Sequence, residues 1–318
     1  MMIDALWMLE KGIVAVRPAE VVEPVYDEIQ VEVKACGICA WDRYLFRGIS
    51  LKTPFPFRFG HEAVGVVVKK GAGVHAMDVG DNVFCIDSGV YQMAQLVNVK
   101  ADQACKIEGP VDDYTRFIME PAVCVINALA GIPLLPGDRV ALVGTGYMGL
   151  LHVQALAHSL ISSLIAFDIK EHCISLAQQF GAQAYHPESS EGKDVIREIK
   201  EQGGADVVID CSGSESSLSL SMELMCQGGV FSNFAWHRGL RTIDGTLWHE
   251  NGYRVFNTAP EMDRHFNDHM IRTERLMRKN VLNHGDLVTH VRDYRHAPEL
   301  FQIAHTQEDC YIKGVVTF

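Results

Sequence analysis

Three short stretches carry side chains that bind metals: Cys36-Gly37-Ile38-Cys39-Ala40-Trp41-Asp42, Phe59-Gly60-His61-Glu62-Ala63-Val64-Gly65 and Met119-Glu120-Pro121. Cys-x-x-Cys by itself could be half of a structural zinc site, but no second Cys-x-x-Cys pair exists to close it. A lone histidine such as His61 is more often a surface or core residue than a ligand. Together, one soft thiolate, one imidazole and one carboxylate make a three-ligand site with an open fourth position, which is what a catalytic zinc requires.

A second chemical feature lies further on. The apolar run Val140 to Val143 leads into Gly144-Thr145-Gly146-Tyr147-Met148-Gly149, then into a helix-period pattern (Leu150, Leu151, Val153, Leu156), then into a second apolar run ending at Asp168. Strand, glycine turn, helix and strand in that order, with an acid about 20 residues beyond the turn, form the dinucleotide-binding pattern. Gly144 is expected to make the tight turn, Gly146 to let backbone approach a pyrophosphate, and Gly149 to let the helix pack on the strand. Tyr147 and Met148 open the helix whose free N–H groups would receive the phosphates. Asp168 would take the ribose hydroxyls. Its charge favours NAD over NADP, because it repels a 2′-phosphate and no arginine follows it, although Lys170 is nearby.

These groups need a large, ordered scaffold, and the composition supplies one. The chain has 318 residues, 48% hydrophobic and 21% charged, enough for two globular domains. A formal net charge of −12 argues against nucleic acid or an anionic membrane as partner. Val140 to Phe167 contains no Asp, Glu, Lys or Arg, but its glycines, histidines and serines divide it into shorter elements, and a buried parallel sheet explains the apolar strands without lipid. Met1 to Val16 lacks a basic region followed by an apolar core, so no signal peptide is read and the expected location is cytoplasmic. Nine cysteines, an odd number over a long chain, fit reduced thiols better than a disulfide framework.

Residues 1–100 read as β-rich. Ile29 to Ala35 alternates apolar and polar with the period of a half-exposed strand, and Glu62 to Val68 and Asp81 to Ile86 are similar runs. From Pro136 the pattern alternates: strands near 139–144, 163–168, 206–211 and 229–234, helices near 147–160, 170–180, 191–202 and 215–226. A further strand, Tyr253 to Asn257, follows. This predicts an α/β fold with a doubly wound parallel sheet beside a β-rich domain. A polar helix, Met262 to Lys279, and an apolar strand, Tyr311 to Phe318, end the chain. His265 and His269 lie one turn apart, but Phe266 stands where a zinc peptidase needs its glutamate, so they read as a solvated face.

In combination and order, Gly37-Ile38-Cys39-x-x-Asp42, Gly60-His61-Glu62-x-x-Gly65, Met119-Glu120-Pro121, the glycine turn, Asp168, and the tail Leu287 to His290 through Ile312 to Val315 resemble the zinc-dependent medium-chain dehydrogenase/reductase family. Alcohol, sorbitol, threonine and glucose dehydrogenases belong to that family. The resemblance implies a GroES-like catalytic domain, residues 1–122 and 263–318, and a Rossmann NAD-binding domain, residues 123–262. It implies that Cys39, His61 and Glu120 are zinc ligands, that Glu62 can enter or leave the zinc shell, and that Asp42 orients the histidine ligand. Lys313 aligns with a basic residue that can reach the cofactor pyrophosphate; a solvated lysine on an edge strand is the alternative. A homodimer or homotetramer is the expected assembly.

Two departures from the family pattern matter. Trp41 stands where the family has a serine or threonine that passes the alcohol proton outward, and an indole cannot do that. Tyr44 stands at the next relay position, where it either carries the proton or packs against Trp41. The four-cysteine structural zinc loop is missing, since only Cys85 and Cys105 occur between Phe84 and Ile107. One catalytic zinc per chain and no structural zinc are therefore expected. The implied reaction is hydride transfer between a secondary alcohol, polyol or sugar and NAD. Alternatives are a zinc-free reductase of the same fold and a catalytically silent nucleotide-binding protein.

Overall fold

The computed structural model describes residues 1–49, 54–86, 89, 91–258, 266–308 and 310–318. The chain divides into two compact units: Met1–Pro121, Met270–Lys279 and Asn283–Phe318 form the first, Ala122–His269 and Asn280–Leu282 the second.

Alternating patterns generate the strands of the first unit. They are β1 (Met2–Glu10), β2 (Ile13–Glu20), β3 (Glu28–Gly37), β4 (Phe57–Arg58), β5 (Ala63–Lys70), β6 (Asn82–Cys85), β7 (Leu96–Lys100) and β8 (Ala104–Lys106), with helix α1 (Ala40–Phe46) after β3. A seven-stranded sheet of order β15-β16-β3-β5-β6-β8, with β7 also on β3, is completed by the tail strands β15 (Val288–Asp293) and β16 (Lys313–Thr317). As the β3 alternation predicted, Ile29, Val31, Val33 and Ala35 are buried while Glu32 is exposed; of the polar positions only Gln30 is buried as well. Each fully buried valine or isoleucine there contributes about 1.5–3 kcal/mol. A separate sheet, β2-β1-β4, lies in the same unit, and helix α9 (Ala297–Thr306) adds Leu300 and Phe301 to its core.

Helix α2 (Glu120–Ala130) starts at the third candidate stretch, and the alternating pattern follows. In order come β9 (Arg139–Val143), α3 (Tyr147–Ala157), β10 (Ser163–Phe167), α4 (Glu171–Gln179), β11 (Gln183–Tyr185), α5 (Ser190–Glu201), β12 (Ala205–Asp210), α6 (Glu215–Leu224), β13 (Met225–Asn233), α7 (Gly245–Asn251) and β14 (Arg254–Asn257). The six strands pair in parallel in the order β11-β10-β9-β12-β13-β14. Strand order reverses at β9, so the crevice beyond the carboxyl ends of β9 and β12 is where this architecture takes ligands. Val140, Ala141, Leu142 and Val143 are buried, which accounts for their apolar run. Among the described residues no helix is long and apolar enough to cross a membrane. The sequence named five of these strands; the sixth is β11, too short to carry a period. Helix α8 (Phe266–Arg278) covers the described part of the expected Met262 to Lys279, residues 262–265 with His265 lie outside the described residues, and His269 is buried rather than on a solvated face.

Candidate metal centre and cofactor cleft

Cys39 is the N-cap of α1, directly beyond the end of β3. Asp42, in the first turn of α1, accepts the Cys39 backbone N–H through Oδ2 at 2.9 Å, which fixes the turn that carries the thiol. Across the sheet, Gly60 has φ +90, a conformation that favours glycine, and it delivers His61 at the entry to β5. The result is a group in which one ligand atom each from Cys39, His61 and Glu62 lie within 4.8 Å of one another.

The electrostatics of this group are those of side chains built to share a cation. Burial raises the Cys39 thiol pKa, and the nearby His61 partly offsets it. Burial also pushes the His61 imidazole down, but the charges of Cys39, Asp42 and Glu120 and a hydrogen bond with Cys39 outweigh it, leaving the pKa well above the usual histidine value. Burial lifts the Asp42 carboxyl to about 6 despite the opposing effect of His61, and its Oδ1 has no hydrogen-bond partner among the described residues. A divalent ion would replace the proton between thiol and imidazole. Thiolate, imidazole and carboxylate are the donor set that suits zinc.

Other expected site residues fall as follows. Glu120 is buried at the first residue of α2; it lies outside the 4.8 Å group, but its charge acts on His61. Trp41 and Tyr44 sit three residues apart on α1, both half-buried. Lys313 requires a correction. It is on β16, which lies between β15 and β3 and is no edge strand, and it is only 3% exposed. Its Nζ donates to Glu62 Oε1 at 2.8 Å and pairs with Oε2 as well. A lysine without a charge partner could not be held at that depth, so the solvated alternative is excluded and its contact here is Glu62.

The glycine turn of the second unit has the expected shape. Gly144 has φ +97, and a side chain at Gly149 would run into the Gly144 carbonyl. Gly146 is the N-cap of α3, with Tyr147 and Met148 as its first residues. Asp168, just past β10, accepts the Thr145 N–H at 2.6 Å and the Lys170 N–H at 2.9 Å, so its carboxylate is pinned beside the turn. A cleft of about 1050 Å³ opens here, with Gly144, Asp168, Ile169, Ser212, Ser214 and Lys193 in its wall.

Two buried polar centres escaped the sequence reading. Asp210, fully buried at the end of β12, accepts from the Ser212 and Gly213 N–H groups, from the Ser217 hydroxyl at 2.9 Å, and lies 2.9 Å from His237 Nε2. His152 is fully buried within α3. Its signal was available, because Leu150, Leu151 and Val153 surround it in the sequence.

A sheet of this order with a glycine turn at its switch point, and a thiolate, imidazole and carboxylate group on a β-rich unit, define the zinc-binding type of dehydrogenase. Comparison agrees: the alcohol dehydrogenase GroES-like domain matches residues 26–117 and the zinc-binding dehydrogenase domain matches residues 148–259. The chain belongs to the zinc-dependent medium-chain dehydrogenase/reductase family. It is 24% identical over 346 residues to an uncharacterized zinc-type alcohol dehydrogenase-like protein of Escherichia coli, covering 96% of each. It is 25% identical to a sorbitol dehydrogenase of Halalkalibacterium halodurans, over 66% of this chain and 69% of that one. Among solved structures, an Escherichia coli oxidoreductase/dehydrogenase of unknown specificity superposes with a TM-score of 0.88 at 21% identity, covering 100% of this chain and 99% of the other.

Proposed function

We propose that this protein oxidises a secondary alcohol of a polyol or sugar with NAD, using one zinc held by Cys39, His61 and Glu120, with Glu62 as an exchangeable fourth donor. The observation that carries the reading is the Cys39, His61 and Glu62 group, with Glu120 acting on its histidine. Bound zinc would polarise the substrate oxygen and ease loss of its proton, and the nicotinamide would take the hydride. Asp42 holds the turn that presents Cys39. Lys313 neutralises Glu62, so the donor set carries less net negative charge and stays matched to a divalent ion. Asp168 supports NAD over NADP, because both of its oxygens are held in place beside the turn and keep the negative charge at the expected ribose position. The polyol class is supported by glutamate at position 120 and by the similarity to a sorbitol dehydrogenase.

The test is zinc content together with NADH formation by metal-replete protein over a panel of alcohols, polyols and sugars. One zinc per chain and turnover of at least one polyol are expected. NAD binding without turnover on any member would favour a silent nucleotide-binding protein, and a metal-free chain reducing activated double bonds would favour the zinc-free reductase.

A further inference from the structure

His152 is a polar residue enclosed in an apolar helix, and its contacts are unusually distributed. Side chains on a helix lean toward its N-terminus, so from the middle of α3 the imidazole reaches back toward the carboxyl rim of the sheet. Its Nδ1 lies 2.9 Å from the Met148 carbonyl, which can only accept, so Nδ1 carries the hydrogen and Nε2 the lone pair. The sulfur of Cys211 is 3.7 Å from the same nitrogen. The ring meets Phe234 edge-on, with centroids 4.6 Å apart.

Each of these three neighbours sits at the start of a different rim segment. Met148 is in the first turn after the glycine turn that follows β9, Cys211 is the first residue after β12, and Phe234 the first after β13. In a doubly wound sheet the dinucleotide lies across these ends. Asp168, after β10, marks the adenosine side, which leaves the β12 and β13 side for the nicotinamide half.

We propose that His152 is a positioning residue that sets the spacing of the segments after β9, β12 and β13 for the nicotinamide half of the cofactor. This rests on the dinucleotide reading given above. Burial holds its pKa down at about 4, so the ring is neutral at working pH and supplies shape and orientation rather than charge. No protein group partners its enclosed Nε2 among the described residues, and such an atom costs stability that an apolar side chain would not. The Met148 carbonyl also has its ordinary helical partner, so helix α3 does not need the imidazole. A residue that lowers stability and ties three ligand-facing segments together is placed for function rather than for folding.

The test compares His152→Leu and His152→Gln in the full chain, reading dissociation constants for NADH and for ADP-ribose, which lacks the nicotinamide, together with Tm. His152→Leu should bind NADH about tenfold more weakly, one decade of affinity, and ADP-ribose within about twofold of wild type. Its Tm should be unchanged or raised by about 2–4 °C, because the enclosed lone pair is gone. His152→Gln, which keeps an amide near both nitrogen positions, should restore most of the NADH affinity. Equal weakening of both ligands, unchanged NADH binding in His152→Leu, or a lowered Tm with no difference between the ligands would overturn the proposal. Wild-type protein that binds neither ligand would instead overturn the dinucleotide reading beneath it.

Discussion

Replacing Lys313 with methionine tests a deeply buried ion pair beside the candidate metal centre. Lys313 and Glu62 are 3% and 1% exposed, and the ammonium contacts both carboxylate oxygens. Methionine keeps the apolar stem but leaves the Glu62 carboxylate enclosed without its counter-charge. Breaking a buried pair in this way costs about 3–5 kcal/mol. At about 2–4 °C per kcal/mol, the transition of the first unit should fall by about 6–20 °C. Pairing the change with Glu62→Gln removes both charges and should return most of that loss, since a neutral pair carries no uncompensated ion. Thermal and urea unfolding of metal-free wild type, both single variants and the double variant give the coupling directly. If the two single losses simply add in the double variant, the ion pair contributes nothing and the account of the buried lysine is wrong. The pH dependence has a definite sign. Burial lowers the Lys313 pKa, but Glu62 and Cys39 outweigh it and the net value stands above the usual 10.5. The stability that the pair contributes is complete below pH 10.5 and is lost as pH rises through the still higher folded value.

Asp168→Ala should weaken NAD binding and relax discrimination against NADP, measured as the ratio of kcat/KM for the two cofactors; a wild-type preference for NADP would show that Asp168 has been misassigned. Metal analysis should give one zinc per chain, and Cys39→Ser should lose activity while keeping the circular dichroism spectrum of wild type. Two tightly bound zinc ions would contradict the single-site reading. Tyr44→Phe should lower turnover by roughly 10²-fold with little change in NAD affinity if the phenol carries the proton displaced from its usual route by Trp41. Unchanged turnover with an unchanged pH profile would leave Tyr44 as a packing residue.

What could be read from the sequence was what is local in the chain. The glycine turn, the helix after it and the acid at Asp168 declare themselves because strand, turn and helix periods follow one another within a few tens of residues. The alternation from β9 to β13 was legible for the same reason. β11 was not, since three residues carry no period. At the metal group, the residue types were plain, but their distances were not: Glu62 rather than Glu120 joins Cys39 and His61 most closely. The partner of Lys313 could not be read at all, because edge or interior position depends on which distant strands pair with β16. His237 and Asp210 meet only through the order of β12 and β13 in the sheet.

The Glu62–Lys313 pair joins residues 251 positions apart. A ribosome adding about 5–20 residues each second needs about 12–50 s to make the intervening chain. Throughout that interval the nascent first unit holds Cys39, His61 and an acidic Glu62 with no β16 beside β3. The second unit, by contrast, has all six of its strands before the tail is made. Birth order therefore runs opposite to chain order: the part that begins last can finish folding first, and the Cys39, His61 and Glu62 group reaches its final charge balance only when the tail strand docks.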